Sequence, residues 1–165
     1  MKEIILTQGK VALVDDEDFD FINQFKWYAA KQNPINNWYA FRLVYINNKP
    51  ANIMMHREII KTPDGMETDH INHNGLDNRR CNLRVCTNYQ NQANRKKRMT
   101  QSTSKYKGVS WKKSEGRWIA NIRINGVNKY LGSYKNEKEA ALAYNKALNN
   151  SFGDFALLND VTSED

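Results

Sequence analysis

Apolar and polar residues alternate with changing period along the chain, and the changes mark short strands and helices. In the first stretch, IILT and KVALV read as short strands. The acidic run DDEDFDFINQFKWYA follows, and its apolar Phe21, Ile22, Phe25 and Trp27 suit a short helix. NWYAFRLVYI has the two-residue period of a strand, with Tyr39, Phe41, Leu43 and Tyr45 alternating against Trp38, Ala40, Arg42 and Val44. NIMMHREIIK reads as a strand end passing into a short helix, and Pro63 and Gly65 in KTPDGME then punctuate a turn. Residues 1–66 are thus expected to form a small α+β region.

Residues 67–98 read as strand (ETDHIN), turn (HNGLDN, signalled by Asn74 and Gly75), strand (NLRVC) and helix (TNYQNQANRKK). The polar, aperiodic residues that follow predict a linker over 99–103. From 104 to 160, KYKGVSWKK, GRWIANIRI and VNKYLGSY read as three antiparallel strands, separated by Ser114 to Gly116 and by the hairpin signal Asn125-Gly126. In the middle strand Trp118, Ala120, Ile122 and Ile124 share one face, while Arg117, Asn121 and Arg123 share the other, so one face is core and the other cationic. A helix opened by Asn136, with Glu139 placed for a capping box, carries the stripe Ala140, Ala143, Tyr144, Ala147 and Leu148 that would cover the sheet. The predicted class is α+β throughout.

Charge sharpens this picture. The 165 residues carry a formal net charge of +7. Residues 1–67 hold 8 Lys and Arg against 9 Asp and Glu, whereas residues 68–165 hold 17 against 9. From Arg79 to Lys135 there are 15 basic residues and one acid, Glu115, a balance that points to a polyanionic partner. No apolar run approaches the roughly 20 residues that cross a bilayer, and MKEIILTQGK lacks the apolar core of a signal peptide, so a soluble, cytoplasmic protein without a membrane partner is expected. Cys81 and Cys86 have no second pair to build a disulfide framework or a four-thiolate zinc site, and are expected to be free thiols.

The chemistry concentrates between Asp69 and Lys97, where an acid, an imidazole and amides precede a cationic run. If the two strands form a hairpin with the helix packed across it, a metal between strand and helix could take oxygen from Asp69 and from the Asn91 side chain. Such oxygen ligands suit one Mg²⁺ or Mn²⁺ ion rather than a soft metal. His70, titrating near neutral pH, would act as general base on a water that attacks a phosphodiester. Asp69 and His70 are neighbours on one strand, so they point to opposite faces unless twist or a bulge intervenes.

The spacing Asp-His, then Asn82, then Asn91, in the context DHIN…GLDNRRCNLRVCT, resembles the HNH or ββα-metal nucleases, and is very similar to phage and intron-encoded homing endonucleases of that family. The resemblance implies that His70 activates water, that Asp69 binds the divalent ion, and that Asn82 braces the loop and orients the histidine. Asn91 stands where the family often has histidine, which implies a variant single-metal site. His73 is assigned no role. His56, in MHREI, matches a histidine-arginine pair common upstream of the motif in relatives, and is a candidate for touching the site or the DNA. Arg57, Arg79, Arg80 and Arg84 are candidate phosphate contacts that could instead pair with carboxylates such as Asp77.

Residues 104 to 159, with YKGVSW…GRWIANIRI…KYLGSY…EKEAALAYNKAL…FGDFALLN, are similar to the plant ethylene-response-factor (APETALA-type) DNA-binding domain. That domain lays a three-stranded sheet in the major groove with its helix behind. Carried over, Lys107, Ser110, Lys112, Arg123 and Tyr130 fall on the DNA-contacting face and Trp118 in the core. Ser110 and Asn128 replace arginines of the plant pattern, so the plant target sequence does not transfer.

The expectation is a site-specific endonuclease of homing type acting on double-stranded DNA. It would nick or cut duplex DNA, and one nuclease motif per chain favours nicking by a monomer, because two cuts need a second site or a reorientation. A DNA-binding regulator with an inert nuclease motif is the chief alternative. An RNA-binding protein using Tyr106, Trp111 and Tyr130 as stacking surfaces is a further one.

Overall fold

A computed structural model describes residues 1–32, 37–97 and 102–162, which fold as two compact α+β units, Met1–Thr87 and Asn88–Asp165.

In the first unit, β1 (Lys2–Ile5) pairs antiparallel with β2 (Val11–Val14), and Ile4, Ala12 and Val14 are buried. α1 (Asp16–Ile22) starts with Asp16, Glu17 and Asp18 in its first turn, where the helix dipole favours anions. It ends sooner than the apolar spacing predicts. The chain leaves the helix at Asn23, and Trp27 turns into the core with its indole N–H donating to the Ile22 carbonyl at 2.8 Å. This frees Tyr28–Gln32 to form β3, a strand that the sequence pattern does not separate from the helix before it.

β3, β4 (Asn37–Ile46) and β5 (Lys49–Met54) form an antiparallel sheet in that order. β4 matches its predicted span, yet only its first half is covered: Ala40 and Phe41 are buried while Leu43, Tyr45 and Ile46 are exposed. The β4–β5 turn uses Asn47 and Asn48, both at positive φ (50° and 59°), the geometry of a two-residue hairpin turn. α2 (Met55–Ile60) buries Met55, His56 and Ile59. It is tied to β4 by the bidentate pair Arg42–Glu58, at 2.6 and 2.8 Å, with the guanidinium 4.1 Å from the Phe25 ring centre.

β6 (Glu67–His70) pairs antiparallel with β7 (Leu83–Cys86), and Leu83 joins the core formed by Ile22, Trp27, Ala29, Met55 and Ile59. The predicted tight turn between them is a loop from Ile71 to Asn82 that ends in a 3₁₀ turn, Arg80–Asn82. β2 holds that loop: the Leu13 N–H donates to the Leu76 carbonyl and the Asn78 N–H to the Leu13 carbonyl, both at 2.8 Å.

The second unit begins with α3 (Asn88–Asn94). β8 (Val109–Lys112), β9 (Arg117–Ile124) and β10 (Val127–Tyr134) form the three-stranded antiparallel sheet, with β9 central, and α4 (Glu137–Phe152) packs on it through Ala140, Ala141, Tyr144 and Leu148. Asn136 caps α4 by accepting from the Lys138 N–H at 2.7 Å. The Asn125-Gly126 turn has φ of 48° and 81°, as its sequence predicts. Ala93 of α3 belongs to the cluster of Ile122, Tyr144 and Leu148, so this helix is part of the second unit's core.

The two-unit division falls at Thr87/Asn88, whereas the pattern of the sequence places boundaries after residues 66 and 98. β6 and β7 are too short to enclose a core and share that of the first 66 residues. Residues 99–101 of the expected linker lie outside the described residues. Beside them, the Lys97 ammonium donates to the Ser104 and Tyr106 carbonyls, and its desolvation lowers its pKa.

Candidate functional site

The register of β6 against β7 is regular, with Asp69 opposite Arg84 and His70 opposite Leu83, so Asp69 and His70 point to opposite faces. Both are buried, at 6% and 5% exposure. Asp69 is gripped through Oδ2 by Arg84, whose Nε and Nη2 stand at 2.9 and 2.8 Å.

His70 is placed by the loop that follows it. Its Nε2 lies 3.3 Å from Oδ1 of Asn78, a residue with no exposed surface, whose own Nδ2 donates to the Leu76 carbonyl at 3.3 Å. With the amide oriented that way, Oδ1 accepts, so Nε2 carries the hydrogen and Nδ1 keeps the lone pair. Burial lowers the His70 pKa, opposed by the Asn78 hydrogen bond and the charges of Asp69 and Asp77. The imidazole is therefore neutral at physiological pH, the form a base needs.

Asn82 closes the loop. Its Oδ1 accepts from the Asn72 N–H at 2.9 Å, its Nδ2 donates to the Asp77 carbonyl at 2.7 Å, and its carbonyl accepts from the Ile71 N–H at 2.9 Å. Inside this ring, Asn72 and Asn74 form side-chain turns onto Asn74 N–H and Leu76 N–H. Asp77, 2% exposed, takes the Arg79 guanidinium at 2.7 Å on each oxygen and the Asn72 amide at 2.8 Å, and these bonds hold its carboxyl below the usual range.

The arginines of the first unit are engaged by protein groups. Arg57 donates to the Met66 carbonyl at 3.1 Å, Arg79 pairs with Asp77, and Arg84 pairs with Asp69. Arg80 takes Asp18 at 2.6 and 2.8 Å and Glu17 at 2.9 Å, while its backbone N–H donates to Asp15. The acidic run 15–18, balanced against an arginine pair, is the sequence signal for this tie.

Two residues beside His70 carry weaker signals. The His56 ring stands edge-on to His70 with centroids 4.9 Å apart, and Tyr39 lies 5.8 Å from His56 and 5.7 Å from His70. Burial, with the charges of His70 and Arg57, pushes the His56 pKa down to about 3. In the sequence, Tyr39 is one of several alternating strand aromatics and nothing sets it apart.

Asn91 stands on α3 in the second unit. A carboxylate and an amide oxygen are hard donors, and among the described residues no three His, Cys, Asp or Glu side chains converge on one point. Oxygen donors of this kind suit a hard divalent ion rather than a soft one. Cys81 is exposed and Cys86 buried, both free, and burial raises the Cys86 thiol to about 11.

On the sheet of the second unit, the cross-strand pairs Lys112–Arg117, Ser110–Ile119, Asn121–Tyr130 and Arg123–Asn128 share one face, on which Ile119 alone of these is buried. Ser110, Lys112, Arg123 and Tyr130 are exposed there. Lys112 meets Glu115, and the Arg123 Nε donates to the Gly126 carbonyl at 3.0 Å. Trp118 is half-buried and meets Trp111 edge-on at 5.0 Å. Lys107 is placed differently from its carried-over role. Its ammonium donates to the carbonyls of Ala93 and Arg95 at 2.7 and 3.1 Å, closing the end of α3, and desolvation lowers its pKa to about 8.

No helix among the described residues is long and apolar enough to cross a membrane. The HNH endonuclease family model matches residues 61–93, from the end of α2 through α3. A protein of Acanthamoeba polyphaga mimivirus, an HNH endonuclease itself uncharacterized, is 30% identical over 160 residues, covering 93% of this chain and 77% of that one.

Proposed function

Because this chain belongs to the HNH endonuclease family and is a nuclease acting on DNA, we propose that it is a site-specific, homing-type endonuclease whose cleavage centre is the ββα motif of β6, β7 and α3. His70 is the general base, Asn82 the brace, and Asp69 and Asn91 hold one Mg²⁺ or Mn²⁺ ion. The observation that carries this reading is the buried seat of His70 beside Asn78, whose Oδ1 lies 3.3 Å from Nε2. Asn78 occupies Nε2, so a neutral Nδ1 is the nitrogen that takes the proton of a water. The water oxygen attacks phosphorus, the bond to the leaving oxygen breaks, and the proton rests on His70. When bound, the divalent ion stabilises charge at the phosphorus centre and the leaving oxygen. Asn82 keeps the loop closed, so that Asn78 and His70 stay in register.

The β8–β10 face is proposed as an ethylene-response-factor-type grip on duplex DNA, with Ser110, Lys112, Arg123 and Tyr130 as contacts and Arg117 and Asn121 beside them. Lys107 leaves that set for the end of α3. Arg57, Arg79, Arg80 and Arg84 are each bound to protein groups, and they remain proposed phosphate contacts because a guanidinium carries five N–H donors. A monomer with one centre is expected to nick.

Purified protein incubated with supercoiled plasmid tests the reading. Nicked circles should appear with Mg²⁺ or Mn²⁺, vanish on chelation while DNA binding persists, and return on refilling. Equal cleavage in excess chelator would refute the metal-dependent centre.

A further inference from the structure

His56 is 5% exposed, yet it makes no hydrogen bond among the described residues. Its ring neighbours are the edges of two others, His70 at 4.9 Å and Tyr39 at 5.8 Å. A buried imidazole usually satisfies at least one nitrogen, because leaving a polar group without a partner costs free energy. The Tyr106 hydroxyl is the one fully enclosed side-chain nitrogen or oxygen without a partner among the described residues, so neither nitrogen of His56 is sealed from outside. Its position is well fixed: α2 is locked to β4 by Arg42–Glu58, and Met55 and Ile59 sit in the core on either side in sequence. A preorganised donor that no described residue occupies, a ring's width from the general base, is suited to a ligand.

We propose that His56 is a second catalytic residue of the cleavage centre, whose neutral imidazole N–H donates a hydrogen bond to a non-bridging oxygen of the phosphate that His70 attacks through water. This rests on the nuclease reading above. The anion fits on two grounds. A neutral imidazole can donate to an oxygen without having to be charged in a buried position. A donor fixed before the reaction also stabilises negative charge as it builds, without reorganisation. His56 transfers no proton, so the proton balance stays with His70. Its low pKa, about 3, keeps the ring uncharged across the working pH range.

Three variants separate this role from packing. His56→Phe keeps an aromatic ring against His70 and Tyr39 but has no N–H. We expect kcat on plasmid DNA to fall about 100-fold, with DNA affinity and melting temperature near those of the parent. His56→Asn and His56→Gln offer an amide N–H near one or other ring-nitrogen position, and one of them should recover at least part of the loss. A His56→Phe rate within about threefold of the parent, a difference too small for a lost charge-stabilising donor, would overturn the proposal. So would equal loss in all three variants.

An independent readout uses nitrogen NMR of the His56 ring in the cleavage-silent His70→Ala background. Adding a short mixed-sequence duplex should shift the His56 N–H and slow its exchange, and an unmoved ring overturns the proposal. If the parent protein did not cut DNA at all, the nuclease reading and with it the catalytic role would fall, whereas cleavage by the parent with an unmoved His56 ring would overturn the His56 proposal alone.

Discussion

At the scale of single residues, the candidate site sets a neutral imidazole in a loop held by amides and by the ion pairs Asp69–Arg84 and Asp77–Arg79. Asn82 illustrates the energetics. Removing its side chain takes the partner from the part-buried Asn72 N–H and from the buried Asp77 carbonyl, and a buried orphaned group costs about 1–3 kcal/mol, a part-exposed one less. Asn82→Ala should therefore lower stability by about 2–4 kcal/mol and depress cleavage further than DNA binding, as denaturant melts and filter binding can establish. His56 gives a pH prediction. Its folded pKa of about 3 lies below the 6.5 of an unfolded histidine, because burial and the facing His70 and Arg57 disfavour the cation. Between those values the unfolded chain binds more protons than the folded one, so stability falls as pH drops from about 6.5 toward 3, and the contribution is fully present above 6.5. The slope is bounded by about 1.4 kcal/mol per pH unit. In His56→Phe that share of the acid sensitivity should disappear, so a melting curve with unchanged pH dependence would show that His56 does not stay neutral on folding.

At the scale of elements, the Ile71–Asn82 loop does more than join two strands. It makes backbone hydrogen bonds to Leu13 of β2, and at Gly75 it lies against β4 so closely that a Cβ would stand 2.4 Å from the Trp38 carbonyl and 2.6 Å from the Tyr39 ring. The Trp38 carbonyl is backbone and has little room to yield, so the Tyr39 ring would have to move. Gly75→Ala should cost about 1–3 kcal/mol and disturb Tyr39, which touches both His56 and His70. Its signature is a fall in kcat together with a lower melting temperature, whereas an unchanged rate would detach Tyr39 from the site. Much at this scale was legible in the sequence. Alternation placed β4 and β9, Asn125-Gly126 placed a turn, and Asn136 placed a helix start. The extent of α1, the existence of β3 and the length of the motif loop were not. Phe25 and Trp27 fit a helical stripe as well as a turn into the core, and the hydrogen bonds from Leu13 to the loop span more than 60 positions of sequence.

At the scale of the whole molecule, the division at Thr87/Asn88 assigns the strands carrying Asp69 and His70 to one compact unit and the helix carrying Asn91 to the other. Sequence spacing identified the motif but not this allegiance, because Ala93 gives no local sign that Ile122, Tyr144 and Leu148 will cover it. One consequence is that the second unit cannot be deleted merely to test DNA grip, since α3 would lose its core. Charge removal on the β9 face is the cleaner route. Arg123→Ala with Tyr130→Ala should weaken duplex binding and reduce the salt slope of log K by about one unit for each phosphate no longer neutralised. Affinity and slope unchanged from the parent would remove that face from the DNA interface. The nuclease centre itself is best tested by single-turnover cleavage of supercoiled plasmid by the parent and by His70→Ala in Mg²⁺ or Mn²⁺, with DNA binding measured in parallel. A general base at His70 predicts that His70→Ala binds within a few fold of the parent and does not cut. Undiminished metal-dependent cleavage by that variant would contradict it.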